Sequence, residues 1–289
     1  MPFNVATFRT RALTAIVFVV VMLAGLLWNV WSFFILFSIV HFGAWNEYQK
    51  LVSGFNPDYA TISPWHRYGI MIAGWCLMLF FTNDRLVAGS VTLSDAGFWL
   101  GLVMIVLLPV VFVLESKKLL LKNMVYSLAG ILYISLSLGL LTDLRTRWDE
   151  GDYRLSMTVP LLVIFSLWIN DTMAYIVGSF IGRTQLSPIS PKKTWEGTIG
   201  GVVLTIVVIS ILAYATGRLP VLHAGVMAAL AAITGTFGDL YESRLKRMAG
   251  VKDSGSIMPG HGGFLDRFDS LLFAAVAVWF YAVIVFGER

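Results

Sequence analysis

Apolar residues run through this chain in blocks about as long as a bilayer is thick, and the polar positions between them are few and clustered. A helix needs about 20 apolar residues to cross the hydrocarbon core. From Ala12 to His41 the chain is almost free of charge, which suits two helices joined by a tight turn near Trp28, Asn29 and Val30. That run far exceeds the roughly 7 to 15 apolar residues of a signal peptide, so it is expected to stay in the mature protein. Further blocks lie at about Tyr68 to Phe81, Phe98 to Leu114, Met124 to Leu141, Met157 to Ile181, Ile199 to Thr216, Val221 to Phe237 and Leu271 to Phe286. The pattern predicts an all-α fold, a polytopic transmembrane helix bundle of about nine spans.

Composition supports that reading. Hydrophobic residues make up 57% of the chain and charged residues 13%, against roughly 25% charged in an ordinary soluble domain. No Pro, Ser or Gly-rich linker divides the sequence, so one integral membrane domain is expected over residues 1–289. Its N-terminal helices would occupy about 1–155, and its catalytic helices and loops about 156–289. Cys76 is the single cysteine, so no internal disulfide can form. The formal charge of +4 is of the kind that anionic lipid at the membrane surface explains, and nucleic acid is not an expected partner. With nine spans, Lys and Arg divide fifteen to six between the two sides, which predicts that the richer side is cytoplasmic. Eight of the fifteen lie in the polar segments discussed next, and without them the bias is seven to six.

The chemistry concentrates between Gly238 and Asp269. If the eighth helix continues past its apolar run, Asp239, Ser243, Lys246 and Arg247 fall near one face. Lys252-Asp253-Ser254-Gly255 follows, and then Pro259-Gly-His261-Gly262-Gly263, whose glycines and proline break any helix and let backbone N–H groups approach a ligand. Asp266-Arg267-Phe268-Asp269 opens the last span, with both carboxylates on one face at i, i+3. Five bases and five acids lie between Asp239 and Asp269. A loop that only touched anionic lipid would be biased basic, whereas a divalent cation with a polyphosphate needs hard oxygen ligands beside cations. An interfacial loop with surface ion pairs would share the charge content, but it would not need His261 among three glycines.

Two further features stand apart from that segment. Asn170, Asp171 and Tyr175 sit within a long apolar run, where a carboxylate costs a few kcal/mol unless it faces a polar cavity. Lys192 and Lys193, in Ser190-Pro-Lys-Lys-Thr-Trp-Glu-Gly, precede the seventh span, where lysine pairs commonly serve as positive-inside anchors.

Together these segments resemble the phosphatidate cytidylyltransferases, also called CDP-diacylglycerol synthases. The signature reads Ser243-x-Leu-Lys-Arg, four residues, Lys252-Asp-x-Gly, then Pro259-x-His-Gly-Gly-Phe-x-Asp-Arg-Phe-Asp269. Asn170-Asp-Thr-x-Ala-Tyr, Gly178, Gly182-Arg and Ser190-Pro-Lys-Lys-Thr-x-Glu-Gly are also similar to the family, so motif-level resemblance covers about Asn170 to Ser270. The N-terminal half matches in hydropathy alone. Met258 departs from the Ile or Leu expected there, a conservative change.

The resemblance implies transfer of CMP from CTP to phosphatidic acid, giving CDP-diacylglycerol and pyrophosphate, in a bacterial inner membrane with the site facing the cytoplasm. It implies metal ligands at Asp239 and Asp266, with Asp269 as a further ligand or supporting acid and Asp171 as a contributor. Carboxylate oxygens without a Cys or His cluster suit magnesium, with a second cation as an option. Lys246, Arg247, Lys252, Lys192 and Lys193 are expected to grip phosphates. Asp253 and His261 belong to the same catalytic segment, His261 as a donor to phosphate or as a brace for the turn. Tyr175, Ser243, Gly262, Gly263 and Arg267 complete the expected substrate contacts. A CTP-dependent lipid kinase and, from another class, an ion-coupled transporter are the alternatives. The N-terminal helices are left as either a lipid-accessible cavity or a homodimer interface.

Overall fold

A computed structural model describes residues 5–115, 121–148, 153–256 and 262–287. Helices dominate: α1 (Val5–Leu27), α2 (Val30–Phe55), a single turn α3 (Pro57–Ala60), α4 (Pro64–Phe80), α5 (Leu93–Glu115), α6 (Leu121–Gly130), α7 (Ser137–Thr146), α8 (Tyr153–Ile181), α9 (Trp195–Thr216), α10 (Val221–Met248) and α11 (Leu265–Phe286). A π-helical turn, Ile131–Leu136, joins α6 to α7. Two small antiparallel hairpins are the only strands among the described residues. They are β1 (Val87–Ala88) with β2 (Val91–Thr92), and β3 (Gln185–Ser187) with β4 (Ser190–Thr194).

Among the described residues, six helices are long and apolar enough to cross a membrane: Leu93–Leu114, Leu121–Thr146, Arg154–Ile181, Trp195–Thr216, Val221–Met248 and Leu265–Phe286. They correspond to six of the nine expected spans, and the count of nine is not confirmed. Within α1, the described residues include a shorter apolar stretch, Ile16–Leu27. Polar residues such as Asn46, Glu47 and Gln49 interrupt α2. The 17 residues of α4 reach only about 25 Å at 1.5 Å per residue. The expected turn near Trp28 does occur. Asn29 caps α2 by accepting from Ser32 N–H at 2.8 Å, while Ser32 Oγ accepts from Asn29 N–H at 3.0 Å.

Packing groups the chain into two compact units. One comprises residues 1–142 with 245–268, the other residues 143–244 with 269–289, and the dividing points fall within α7, α10 and α11. In the first unit, aromatic side chains fill the core: Phe33, Phe37, Trp45, Tyr48 and Tyr59 are all but fully buried. Trp45 and Tyr48 both place their polar atom against a partner. Trp45 Nε1 donates to Ser135 Oγ at 2.8 Å and Tyr48 Oη donates to the Tyr126 carbonyl at 2.8 Å. At the other extreme is α5, with only 6% of its most apolar window buried, a surface suited to lipid.

The second unit packs on small residues instead. Ala224, Ala228, Ala231, Ala275 and Val278 are fully buried, and α8 lies tightly against α9 through Gly178, Gly197 and Gly201. A Cβ at Gly197 would stand 2.7 Å from the Ala174 carbonyl oxygen, so a larger residue would force the helices apart. Close backbone approach of this kind is how helices gain packing energy where lipid removes the hydrophobic drive.

Candidate active site

The polar residues expected to carry the chemistry fall into two groups, one in each unit.

In the second unit the group gathers on α8, β4, α10 and α11. The helix α10 does continue past its apolar run, and Ser243 Oγ donates to Asp239 Oδ1 at 3.2 Å, one turn along the same face. Lys193 reaches from β4 to pair with Asp239 Oδ2. Asp269 is 9% exposed, and it interacts electrostatically with Asp239, Asp171 and Lys193. Asp239 and Asp171 thus both bear on Asp269, and Lys193 is paired with Asp239. Burying Asp269 places like charges together in a poorly screened setting, which a bound cation would relieve.

Local sequence explains how Lys193 arrives there. Thr194 caps α9 by accepting from Gly197 N–H at 3.1 Å. Glu196 accepts from the N–H groups of Arg183 and Thr184, each at 3.1 Å, and Trp195 N–H donates to the Thr184 carbonyl at 2.9 Å. These bonds hold the β3–β4 hairpin to the start of α9, so Lys193 comes from a braced strand. Sequence reasoning assigned no role to Thr194 or Glu196.

In the first unit the group surrounds Asp266, the second residue of α11. Asp266 Oδ1 accepts from Lys246 Nζ at 2.6 Å. Its Oδ2 accepts from the N–H groups of Ser254 and Gly263, each at 2.8 Å, and lies 2.9 Å from Ser254 Oγ. The side chains of Lys246 and Asp266 are 12% and 9% exposed, a nearly buried ion pair. The helix α10 stops at Gly250, whose φ of +69° is left-handed, and Gly262 turns the chain with φ +80° just before α11. A further carboxylate belongs to this group and was missed. Glu47, 5% exposed on α2, accepts from Ser254 Oγ at 2.7 Å, Phe264 N–H at 2.9 Å and Leu265 N–H at 2.8 Å. A lone acid in an apolar helix was the available signal, and it is the same signal that singled out Asp171.

The remaining expected residues are not gathered in this way. Lys192, Arg247, Lys252, Asp253 and Arg267 are exposed, and so is Tyr175, at 77%. Asp171 is exposed too, although it bears on Asp269. Arg247 donates to the Val251 carbonyl at 3.3 Å. His261 lies outside the described residues.

A family model described as the cytidylyltransferase family matches residues 9–285. The chain belongs to that family. It is 40% identical over 154 residues to a protein named phosphatidate cytidylyltransferase from Synechocystis, covering 51% of this chain and 53% of that one. It is 38% identical over 189 residues to one of the same name from Staphylococcus haemolyticus, covering 62% and 70% respectively. A third of that name, from Bacillus subtilis, is 34% identical over 211 residues, covering 72% and 66%. The matches thus span about half to two thirds of these relatives' lengths.

The metal ion expected from the motif resemblance would meet two carboxylate groups that differ in how they would receive it. Both oxygens of Asp266 are engaged by protein donors, so it could bind a metal only by giving them up. Asp239 and Asp269, with the Ser243 hydroxyl, form a hard-oxygen set with a surplus of acid. Among the described residues no group of three or more His, Cys, Asp or Glu side chains is placed to hold a metal by itself. Magnesium usually takes one or two carboxylates and completes its shell with water and substrate phosphates.

Proposed function

We propose that this membrane protein transfers CMP from CTP to phosphatidic acid, releasing pyrophosphate and giving CDP-diacylglycerol. The observation that carries the reading is the set of acids in the second unit, Asp239 and Asp171 bearing on Asp269 with Lys193 paired to Asp239, in a chain of the cytidylyltransferase family. In the reaction a lipid phosphate oxygen forms a bond to the α-phosphorus of CTP, the bond from that phosphorus to the bridging oxygen breaks, and pyrophosphate leaves.

The lipid phosphate has a second pKa near 6, so at neutral pH it is already an anionic nucleophile and needs little general-base help. Electrostatic repulsion is the obstacle, and neutralising it is the task of the site. Asp239 and Asp269 would hold the ion, with Ser243 beside Asp239. Magnesium, when bound there, would supply charge neutralisation and orientation of the phosphates. Lys193 balances Asp239 in the structure and would turn to phosphate as a cation takes its place. The exposed cations Lys192, Arg247, Lys252 and Arg267 are suited to contacts with the nucleotide's outer phosphates or the lipid headgroup. The same reading puts the protein in a bacterial inner membrane with this site facing the cytoplasm, and makes a homodimer an arrangement to test by cross-linking in native membranes.

The test is product analysis with purified protein, magnesium, phosphatidic acid and CTP labelled at the α-phosphate. Labelled lipid together with released pyrophosphate is the expected result. Label entering lipid only from γ-labelled CTP would make the protein a lipid kinase and overturn the proposal. Ion-driven uptake into proteoliposomes without any CTP turnover would make it a transporter.

A further inference from the structure

Glu47 is a buried acid for which neither composition nor motif supplies a role, and its surroundings are specific. Both of its oxygens face the start of α11: Oε1 accepts from Phe264 N–H at 2.9 Å, and Oε2 from Leu265 N–H at 2.8 Å. These are orphan donors of a helix first turn, which has no intrahelical acceptors to offer them. The Ser254 hydroxyl stands between two carboxylates, 2.7 Å from Glu47 Oε2 and 2.9 Å from Asp266 Oδ2, so its one hydrogen links the two acids. One side chain on α2 thereby binds both ends of the segment that runs from Ser254 to Leu265.

The glycines of that segment fit the same carboxylate. A Cβ on Gly263 would fall on both oxygens of Glu47, and a Cβ on Gly255 would fall on Oε1. One turn earlier on α2, a Cβ on Gly43 would fall on the Phe264 ring. Gly255, Gly263 and Phe264 all lie in the signature segment, so three of its positions have a physical cause in a helix more than 200 residues away. Glu47 and Gly43, four residues apart, share one face of α2 and form the seat for it.

We propose that Glu47 is a positioning residue for the reaction. It fixes Ser254 and the backbone from Gly263 to Leu265, and through Ser254 and Gly263 the orientation of Asp266 and Lys246. Glu47 touches no substrate in this role. The proposal rests on the transferase reading only for its kinetic arm, because its structural arm needs no substrate.

Three variants test it: Glu47→Gln, Glu47→Asp and Glu47→Ala, each purified in detergent. Hydrogen exchange is followed on peptides covering 262–268 and, as a control, on peptides from α5 and α9. In Glu47→Gln the 262–268 peptides should exchange about tenfold faster or more while the control helices keep their protection. The same variant should lose about 10- to 100-fold in kcat, the usual cost of removing an orienting partner, with a much smaller change in KM for CTP. Glu47→Asp should recover part of both effects. Joining Gly263→Ala to Glu47→Ala should cost less than the sum of the two single losses, because the first clashes with the side chain that the second removes.

Unchanged exchange at 262–268 in Glu47→Gln would overturn the proposal. So would equal loss of protection in every helix, which would make Glu47 a general stabiliser. Faster local exchange with wild-type kcat would overturn its link to the reaction. If wild-type protein formed no CDP-diacylglycerol at all, the transferase reading would fall while the exchange result still decided the structural arm.

Discussion

Asp266 and Asp239 lie at comparable places, each near the polar end of an apolar helix, yet their surroundings differ in kind. Asp266 receives Lys246, two donors from Ser254 and the Gly263 N–H, and Glu47 beside it is just as fully engaged. Asp239 has one lysine and one hydroxyl, and Asp239 and Asp171 both bear on the buried Asp269. A carboxylate whose acceptors are all filled by its own chain holds structure in place. Carboxylates that bear on one buried acid store electrostatic repulsion that a ligand can relieve. On the proposed reading the first group serves architecture and the second chemistry.

The largest effect should come from neutralising the acid-rich group. Asp239→Asn is expected to lower turnover by about a thousandfold or more, on the scale of several kcal/mol of lost transition-state stabilisation. It should leave the melting temperature in detergent unchanged or slightly raised, because an acid leaves an acid surplus. A melting point that collapsed with activity would erase the distinction.

Asp266→Asn should do the reverse in stability. It strands the Lys246 ammonium in a site where its side chain is 12% exposed, and breaking such a nearly buried pair from one side costs about 3 to 5 kcal/mol. Thermal unfolding should therefore come at a clearly lower temperature. Adding Lys246→Met should restore much of that stability without restoring turnover. Equal melting points for Asp239→Asn and Asp266→Asn would contradict the division of labour.

A smaller effect is expected at the exposed cations. Arg247→Ala and Lys252→Ala should each raise KM for CTP by about two- to fivefold, the range of a solvent-screened ionic contact, and the effect should shrink as salt is raised. A loss above a hundredfold at either would place that residue among the essential groups.

Much of this was legible in the chain. The apolar blocks located the long helices, and the 3.6-residue period correctly set Ser243 against Asp239. The period also grouped Lys246 with Arg247 and Asp266 with Asp269, and there the tertiary structure separated them. Lys246 turns to Asp266 while Arg247 stays exposed, and Asp266 folds back onto the N–H groups at its own helix start while Asp269 faces Asp239. Neighbouring positions on one helix share a direction, but which partner each meets is decided by other elements. The β3–β4 hairpin was not legible, because its strands are short and polar and the bracing Glu196 looks like any acid in a helix first turn. Nor was the partnership of Glu47, since nothing local to α2 names donors some 207 to 218 residues further along.

That separation also has a consequence for the order in which the protein is made. Translation at about 5 to 20 residues per second puts roughly 10 to 40 seconds between the synthesis of Glu47 and that of Ser254. Throughout that interval α2 holds a carboxylate whose intended donors do not yet exist. The nascent chain therefore waits, with one charge unanswered, for its last helix to arrive, and a ribosome that stops before Ser254 releases a chain that cannot close.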